Sequence, residues 1–492
     1  MNSRVSNSIG SHLSYLLYRN TLYQSYLKHT SRNSSEKIIG VNKGSEVVGQ
    51  IINPIFLLIN SLFTIIFLLI TLILLNPKII ILTFIIITSL YLIIMFFVKD
   101  KLTKESKFIN IKKPLMYKAM HEGLGGIRDI LIDGTQEIYS KIFYKNEYEF
   151  RRSNSKVVLL TNTPNIVIQA LGISLISFFA SSIAIKNEVN NNDFATGLPF
   201  LGALAFAYLR MSPAIQQVYS TWANLKNGEL NLNYVIDFLK IPLPPYAGKP
   251  SPQPINFVDN ITINNLSFSY NSNSEIVLNN INLKIKKGSM VGFVGKTGSG
   301  KSTLLDILMA LIEPTDGNLR IDEEVINKNN FRSWQVHIAH VPQAIYLSDA
   351  TIAENIAFGV PLEKIDFNRV KMAAEKAQLT DTIEKLESNY YTKVGERGVR
   401  LSGGQRQRLG IARALYKKAD VIVFDEATSA LDNDTESEVM NSIENLDNNL
   451  TILIVAHRLS TLKNCNQIIE IKDHKLLLYD NYEMFNKSIN SY

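Results

Sequence analysis

The fold is decided by Gly295-Lys296-Thr297-Gly298-Ser299-Gly300-Lys301-Ser302, which follows the apolar run Met290–Val294. Glycines let backbone N–H groups wrap around phosphates, and a helix beginning there adds the positive end of its dipole. Ser302–Leu311 has a helical pattern, so the loop has the strand before it and the helix after it that a phosphate-binding loop requires. A plain glycine-rich turn is the alternative, but it leaves the Lys-Ser pair unexplained. We therefore predict an α/β ATP-binding domain of the P-loop type, with Lys301 on the β- and γ-phosphates and Ser302 on Mg²⁺.

A second apolar run, Val421–Phe424, ends in two acidic residues, Asp425 and Glu426. We predict that Asp425 holds Mg²⁺, directly or through water, and that Glu426 polarises the attacking water as a general base. Acids at a strand end also cap helices, but capping rarely needs two of them. The pair therefore indicates ATP hydrolysis as well as ATP binding.

Three further candidates each have an ordinary structural explanation when taken alone. Gln343 is predicted to contact Mg²⁺ and water and to sense the γ-phosphate; otherwise it is a surface glutamine. His457 follows the apolar run Thr451–Val455 and is predicted to hydrogen-bond the γ-phosphate; otherwise it is a strand-end histidine. Tyr270 is predicted to stack on adenine, and a core tyrosine is the alternative.

The segment Leu401–Gln405 precedes a predicted helix over Arg406–Leu415. Free N–H groups at a helix start, with the Ser402 hydroxyl, make an anion site.

The predicted catalytic residues are Glu426, His457 and Gln343, and the predicted metal ligands are Ser302, Gln343 and Asp425. The predicted nucleotide-binding residues are Tyr270, Gly295, Lys296, Thr297, Gly298, Ser299, Gly300, Lys301, Ser302, Thr303, Ser402, Gly403, Gly404 and Gln405.

The N-terminal half contains four apolar segments, at residues 52–75, 79–98, 157–185 and 194–222. A helix needs roughly 20 apolar residues to cross about 30 Å of hydrocarbon. No charged residue occurs from Ile51 to Pro77. Buried helices of a soluble protein are the alternative, which the length and lack of charge disfavour. We therefore predict an all-α transmembrane domain with four spans in a lipid bilayer.

Charge predicts the orientation of these spans. Lys and Arg are frequent between the second and third segments, whereas the two opposite loops carry only Lys78 and Lys186. Positive loops stay in the cytoplasm, so we expect a multi-pass protein of the inner cell membrane with the ATP-binding domain and both termini cytoplasmic. The net charge of +7 is attributed to these loops, and no nucleic acid partner is expected. The single cysteine, Cys465, agrees with a reducing compartment.

Prolines mark the boundary between the halves. The proline-rich stretch Ile241–Pro254 favours neither helix nor central strand and predicts a semi-rigid linker. The predicted domains are a transmembrane domain at 1–240, a linker at 241–256 and a nucleotide-binding domain at 257–492. Two cytoplasmic helical segments are also predicted, an amphipathic one over Leu13–Lys28 and one around Glu122–Ile130, where glycines indicate a bend or a close contact with another surface.

Over residues 257–492 the chain resembles the nucleotide-binding domain of ABC transporters. The resemblance rests on a set of motifs in one order: Gly295–Ser302, Gln343, Leu401–Gln405, Asp425-Glu426, Ser429-Ala430-Leu431-Asp432 and His457. The loop Val394–Gly398 is similar to one that contacts the membrane domain in exporters of this family. Fusion of the two domains resembles a type I exporter half-transporter. Residues Glu122–Ile130 and Arg210–Tyr219 are similar to flippases of lipid-linked oligosaccharides.

This resemblance implies a head-to-tail homodimer, or a dimer with a related half-transporter, with ATP held between the two copies. It also implies coupling through the two cytoplasmic helical segments and export of an amphipathic or lipid-linked substrate. Two features depart from the family pattern. The family has six spans per subunit and four are predicted here, so we expect the first two to be missing, through either a misassigned start or a real truncation of the subunit. In addition, Asp473-His474-Lys475 replaces a glycine turn. A membrane-anchored ABC ATPase with a regulatory or binding role and no transport is therefore the alternative function. A soluble ABC protein is disfavoured by the apolar segments.

Overall fold

The computed structural model describes residues 2–31, 33–75, 77–190, 194–271, 275–426, 434, 436–437, 449–455 and 459–490. They form two compact units, Met1–Ala247 and Gly248–Tyr492. The first unit is helical and the second is α/β, which confirms the predicted order of fold classes.

The first unit consists of long helices. Their bounds are α1 Asn2–Leu22, α2 Tyr26–Thr30, α3 Ser34–Val47, α4 Asn53–Leu75, α5 Pro77–Gly125, α6 Ile127–Asp133, α7 Gln136–Asn190 and α8 Phe194–Leu239, with a π-helical turn at Val48–Ile52. The single helix predicted over Leu13–Lys28 is wrong, because α1 ends at Leu22 and α2 begins at Tyr26. The bend predicted around Glu122–Ile130 lies between α5 and α6.

Helices α4, α5, α7 and α8 contain the four apolar segments. Helix α4 nearly coincides with the segment at 52–75, whereas α5 has 49 residues and α7 has 55, so both continue well past their apolar parts. Among the described residues, the stretches Glu36–Leu74 and Gln136–Phe178 are long and apolar enough to cross a membrane. The count of four spans stays a prediction.

Buried side chains join α5, α7 and α8 at two levels. One cluster contains Tyr91, Ile168 and Tyr219, and the next contains Leu102, Val157 and Ala223, with one residue from each helix. A polar contact joins α3, α5 and α8, since Glu46 accepts hydrogen bonds from Lys113 and, at 3.0 Å, from Nδ2 of Asn231. These helices therefore pack as one bundle with both apolar and polar ties.

The second unit contains two sheets. Its strands are β1 Asn260–Phe268, β2 Leu278–Lys286, β3 Met290–Val294, β4 Asp316–Ile321, β5 Glu324–Val325, β6 Ile338–Val341, β7 Val421–Asp425, β8 Thr451–Val455, β9 Gln467–Lys472 and β10 Lys475–Tyr479. Strands β2-β1-β4-β5 form an antiparallel sheet, and β10-β9-β3-β8-β7-β6 form a sheet that is parallel except for β10. Among the described residues, no helix or strand lies between Leu239 and Asn260, where the proline-rich linker is predicted.

The order of the six-stranded sheet positions the site. Strands β3 and β7 are both parallel neighbours of β8, and Phe293 and Asp425 both pair with Val455. The carboxyl ends of β3 and β7 therefore lie at one edge of the sheet. Strand β3 is buried along its whole length, as expected for a strand covered on both faces.

Seven described helices surround these sheets. They are α9 Lys301–Leu308, α10 Phe331–Gln335, α11 Ile352–Ile356, α12 Phe367–Lys376, α13 Thr380–Glu384, α14 Gly403–Lys417 and α15 Tyr482–Asn490. Helix α9 is shorter than the predicted Ser302–Leu311, and α14 is longer than the predicted Arg406–Leu415. The turn between β9 and β10 forms without glycine, because Asp473 (φ 49°) and His474 (φ 64°) both adopt the left-handed conformation.

Candidate nucleotide site

The glycine loop follows β3 and has a backbone that its glycines make possible. Gly295, Gly298 and Gly300 have φ values of 143°, 82° and 104°. An added Cβ at Gly295 would lie 2.6 Å from the carbonyl oxygen of Ile471. A larger residue at this position would therefore displace the loop or the neighbouring strand.

Lys301 opens helix α9 and lies within the loop. The residue is buried, with 8% of its surface exposed, and its Nζ donates to the carbonyl oxygens of Gly295 at 2.7 Å and Lys296 at 3.0 Å. The buried Oγ of Ser299 has no hydrogen-bond partner among the described residues. A positive charge and an unbonded hydroxyl in a glycine-rich loop at the start of a helix fit a phosphate.

The two residues after Lys301 differ in exposure. Ser302 is exposed at the start of α9. Thr303 is buried, and its Oγ1 lies 2.9 Å from the phenol oxygen of Tyr270. Tyr270 is 49% exposed as a residue, and its ring meets that of Phe268 edge-on, with 5.0 Å between centroids. Thr303 thus orients Tyr270, whose exposed position agrees with a predicted platform for a base more than with a core tyrosine.

Gln343 contacts the acidic segment at the end of β7. Nε2 of Gln343 donates to Oε2 of Glu426 at 2.6 Å, although the two residues are far apart in sequence. Glu426 has a φ of 52°, a left-handed conformation that a non-glycine residue rarely adopts and that is often found at functional sites. The structure therefore brings together Gln343 and Glu426, two residues predicted from separate motifs, beside Asp425.

Asp306 belongs to this site and was missed in the sequence. It lies in α9, one turn after Ser302. Burial, with a further contribution from the charge of Asp425, raises the pKa of the Asp306 carboxyl to about 6. The available signal was its spacing, because residues four apart share a helix face.

Helix α14 begins with a capping box. The Ser402 Oγ accepts from the Gln405 N–H at 3.2 Å, and the Gln405 Oε1 accepts from the Ser402 N–H at 2.8 Å. The cap uses the Gln405 N–H, so Gly403 and Gly404 remain the N–H donors of the first turn. Of the four residues predicted to bind an anion, Ser402–Gln405, the structure therefore leaves the N–H groups of Gly403 and Gly404 as backbone donors.

The remaining predictions differ in what the structure describes. His457 and the motif Ser429–Asp432 lie outside the described residues. In the loop Val394–Gly398, Gly395 and Gly398 have φ values of 76° and 70°, and a Cβ on Gly398 would lie 2.6 Å from a side-chain carbon of Leu347. That loop therefore depends on its glycines for its shape.

Taken together, these residues fit ATP with Mg²⁺. The loop and Lys301 provide donors for the phosphates, and the hydroxyl of Ser302 and the carboxylate of Asp425 are hard oxygen ligands of the kind Mg²⁺ prefers. Glu426 and Gln343 form an adjacent polar pair. Tyr270 provides an exposed ring.

Comparison with known proteins agrees with this arrangement. The family model described as ABC transporter matches residues 278–429. The chain is 31% identical over 386 residues to an ATP-dependent lipid A-core flippase of Cupriavidus metallidurans, which covers 77% of this chain and 64% of that relative. It is 31% identical over 405 residues to ATP-dependent lipid A-core flippase 2 of Colwellia psychrerythraea, which covers 80% of this chain and 68% of that relative.

Among solved structures, a bacterial Atm1-family ABC exporter with ATP bound has the same fold. The TM-score is 0.85 at 21% identity, covering 99% of this chain and 84% of the exporter. The chain spans 64%, 63% and 60% of the length of three of the curated flippase relatives that it matches. Fold, site geometry and relatives show that the chain belongs to the ABC transporter family.

Proposed function

We propose that this chain is an ATP-hydrolysing half of an exporter or flippase, which works as a dimer in the inner cell membrane and moves an amphipathic substrate. The observation that carries the hydrolytic part is the bond between Gln343 and Glu426 at the edge of the sheet where the glycine loop begins. Nucleotide binding alone does not require a carboxylate there. The carboxylate is what activation of a water molecule requires.

Each residue has a distinct role in this proposal. Lys301 and the loop N–H groups hold the β- and γ-phosphates. Ser302 and Asp425 hold Mg²⁺, which offsets the charge on the transferred phosphoryl group. Glu426 orients water and accepts its proton, a contribution of about 10²- to 10⁴-fold in rate. Gln343 fixes the Glu426 carboxylate through its 2.6 Å bond.

The second anion site supports the dimer. The glycine loop already supplies donors for one phosphate chain, and the start of α14 adds the N–H groups of Gly403 and Gly404 with the Ser402 hydroxyl. We infer that this second set contacts the ATP held by another copy, or by a related half-transporter. His457 is proposed to contact the γ-phosphate.

An amphipathic lipid is the proposed substrate class. Two described stretches of the helical unit, Glu36–Leu74 and Gln136–Phe178, are apolar enough to lie in a bilayer. The relatives are named as ATP-dependent lipid A-core flippases. Lipid-linked oligosaccharides, which have a long apolar part and a polar part, fall within the proposed substrate class.

Reconstitution tests the proposal. The full chain, placed in vesicles with a fluorescent lipid, should hydrolyse Mg-ATP and move lipid between leaflets, and Glu426→Gln should abolish both. Glu363→Gln, at an exposed position away from the site, is the matched control and should behave as the unsubstituted protein. Hydrolysis without lipid movement would favour the alternative of a membrane-anchored ATPase with a regulatory role. Absence of hydrolysis in the unsubstituted protein would contradict the proposal.

A further inference from the structure

Helix α7 contains a proline in its interior, Pro164. Proline has no backbone N–H, and its ring crowds the carbonyl four residues earlier, which here belongs to Leu160. A carbonyl without a donor is costly in an apolar environment, because no water can replace the missing bond. Helix α7 therefore needs an outside donor at Leu160.

Helix α8 supplies such donors at this place. The phenol of Tyr219 donates to the Leu160 carbonyl at 2.8 Å, and Nε2 of Gln216 donates to the next carbonyl, Thr161, at 3.1 Å. The phenol of Tyr91, on α5, donates to Oε1 of Gln216 at 3.3 Å. The turn interrupted by proline is thus bonded to one neighbouring helix and, through Gln216, to a second.

Packing holds the principal donor in place. Tyr219 is only 1% exposed. Its ring lies 5.5 Å from that of Tyr91 and 5.8 Å from that of Trp222, measured between centroids. The phenol cannot turn away from Leu160 without disturbing both rings, so the bond is a fixed part of the bundle.

A second tyrosine on α8 provides an internal comparison. The phenol of Tyr208 donates to the carbonyl of Gln169 at 2.9 Å, on the same two helices. Gln169 lies in an uninterrupted part of α7, where the helix supplies its own donor. Both tyrosines donate a hydrogen bond to a carbonyl of α7. Of the two, Tyr219 replaces the backbone hydrogen bond that Leu160 lacks because of Pro164, whereas the bond from Tyr208 is an additional one.

We propose that Tyr219 and Gln216 are positioning residues that join α7 to α8 across the break at Pro164, so that the two helices move as one body. The link between this motion and the movement of substrate rests on the function proposed above. The join between α7 and α8 does not depend on that function.

A double-mutant experiment tests the join, because Pro164→Ala restores the missing N–H of α7. In the full chain in detergent, Tyr219→Phe should lower the apparent Tm by about 3 to 5 °C, and in the Pro164→Ala background its effect should fall by at least half. Tyr208→Phe should have the same small effect in both backgrounds. An equal loss from Tyr219→Phe with and without Pro164 would overturn the proposal.

A distance measurement separates positioning from plain stability. Spin labels at Lys145→Cys on α7 and Leu230→Cys on α8, with Cys465→Ser, should give one narrow distribution. Tyr219→Phe should broaden it, and added Pro164→Ala should narrow it again. Gln216→Leu, measured in the same way, replaces Tyr219→Phe if that variant does not fold. A distribution that these substitutions leave unchanged would contradict the join.

Transport assays test the link to function separately. Tyr219→Phe should retain ATP hydrolysis while moving fewer lipid molecules per ATP, and Tyr208→Phe should retain both. If the unsubstituted protein moves no lipid, the proposed function fails, and the distance distributions still decide whether the join exists. Loss of hydrolysis in step with transport would contradict a positioning role for Tyr219.

Discussion

Individual side chains around the glycine loop carry the largest consequences, and Lys301 is the first of them. Its ammonium is the buried charge within the loop and bonds two loop carbonyls. Lys301→Ala should weaken ATP binding about ten- to a hundredfold, since a charged hydrogen bond contributes about 1.5 to 3 kcal/mol. Calorimetric titration measures this change. Lys284→Ala, on the exposed face of β2, is the control, and unchanged ATP affinity in Lys301→Ala would contradict the phosphate role.

Asp306 makes the stability of the nucleotide-binding unit depend on pH. Its raised pKa of about 6 means that the folded chain keeps a proton that the unfolded chain loses near pH 4, so ionisation destabilises the fold as pH rises between these values. Asp306→Asn should therefore raise the free energy of unfolding by roughly 1 to 2 kcal/mol at pH 8 and by nothing at pH 4.

Urea unfolding without nucleotide or Mg²⁺ measures this difference. With Trp222→Phe, the fluorescence of Trp334 reports on the second unit alone. An equal gain at both pH values would show that the substitution acts through packing rather than through charge.

The residues of the site differ in how far the sequence could predict them. Gly295–Ser302 is contiguous, so its chemistry is visible in one motif. The pairs Gln343 with Glu426, Asp306 with Asp425, and Tyr270 with Thr303 depend on strand order, which brings distant segments together. Five of these six residues were predicted as site residues from their own segments, whereas Asp306 was not, because no motif marks it.

At the scale of elements, helix ends were harder to predict than helices. The predicted helix at Arg406 begins instead at Gly403, because the Ser402–Gln405 capping box starts it earlier. It ends beyond Leu415 because Lys418 adopts a left-handed conformation, with φ 55°, that usually belongs to glycine. Apolar periodicity does not report either kind of cap.

The left-handed conformation at the end of α14 predicts that substitution by glycine changes the free energy of unfolding in opposite directions at Lys418 and at Lys371. Lys418→Gly should stabilise the second unit by about 0.5 to 1 kcal/mol, because glycine adopts a positive φ without strain. Lys371→Gly, inside α12, should destabilise it by about 1 kcal/mol. Urea unfolding in the Trp222→Phe background measures both. Effects of the same sign at the two positions would contradict the assigned backbone conformations.

At the scale of the whole molecule, composition predicted the order of a helical and an α/β unit, since the apolar segments stop before the proline-rich stretch. The lengths of the helices were not predictable in the same way. Hydropathy detects only the apolar part of a helix, whereas α5 and α7 continue as polar helices for many residues. Strand order was also beyond reach, because it depends on crossover connections rather than on local pattern.

The proposed dimer predicts a specific defect for Ser402→Arg. A bulky cation at the start of α14 should leave ATP affinity of each chain unchanged, because the glycine loop is untouched. Hydrolysis should fall about a hundredfold, as expected for loss of a group that completes a site. Ser388→Arg, at an exposed position elsewhere, is the control and should hydrolyse ATP normally. Normal hydrolysis by Ser402→Arg would show that each copy hydrolyses ATP alone and would contradict the shared site.

Association driven by nucleotide tests the central claim most directly. In analytical ultracentrifugation of the purified full chain in detergent, Glu426→Gln should convert to a stable dimer when Mg-ATP is in excess, since the nucleotide binds but is not consumed. The added substitution Lys301→Ala should prevent the conversion. A Glu426→Gln protein with the same sedimentation behaviour with and without Mg-ATP, under conditions where ATP binding is saturated, would contradict a site shared between two copies.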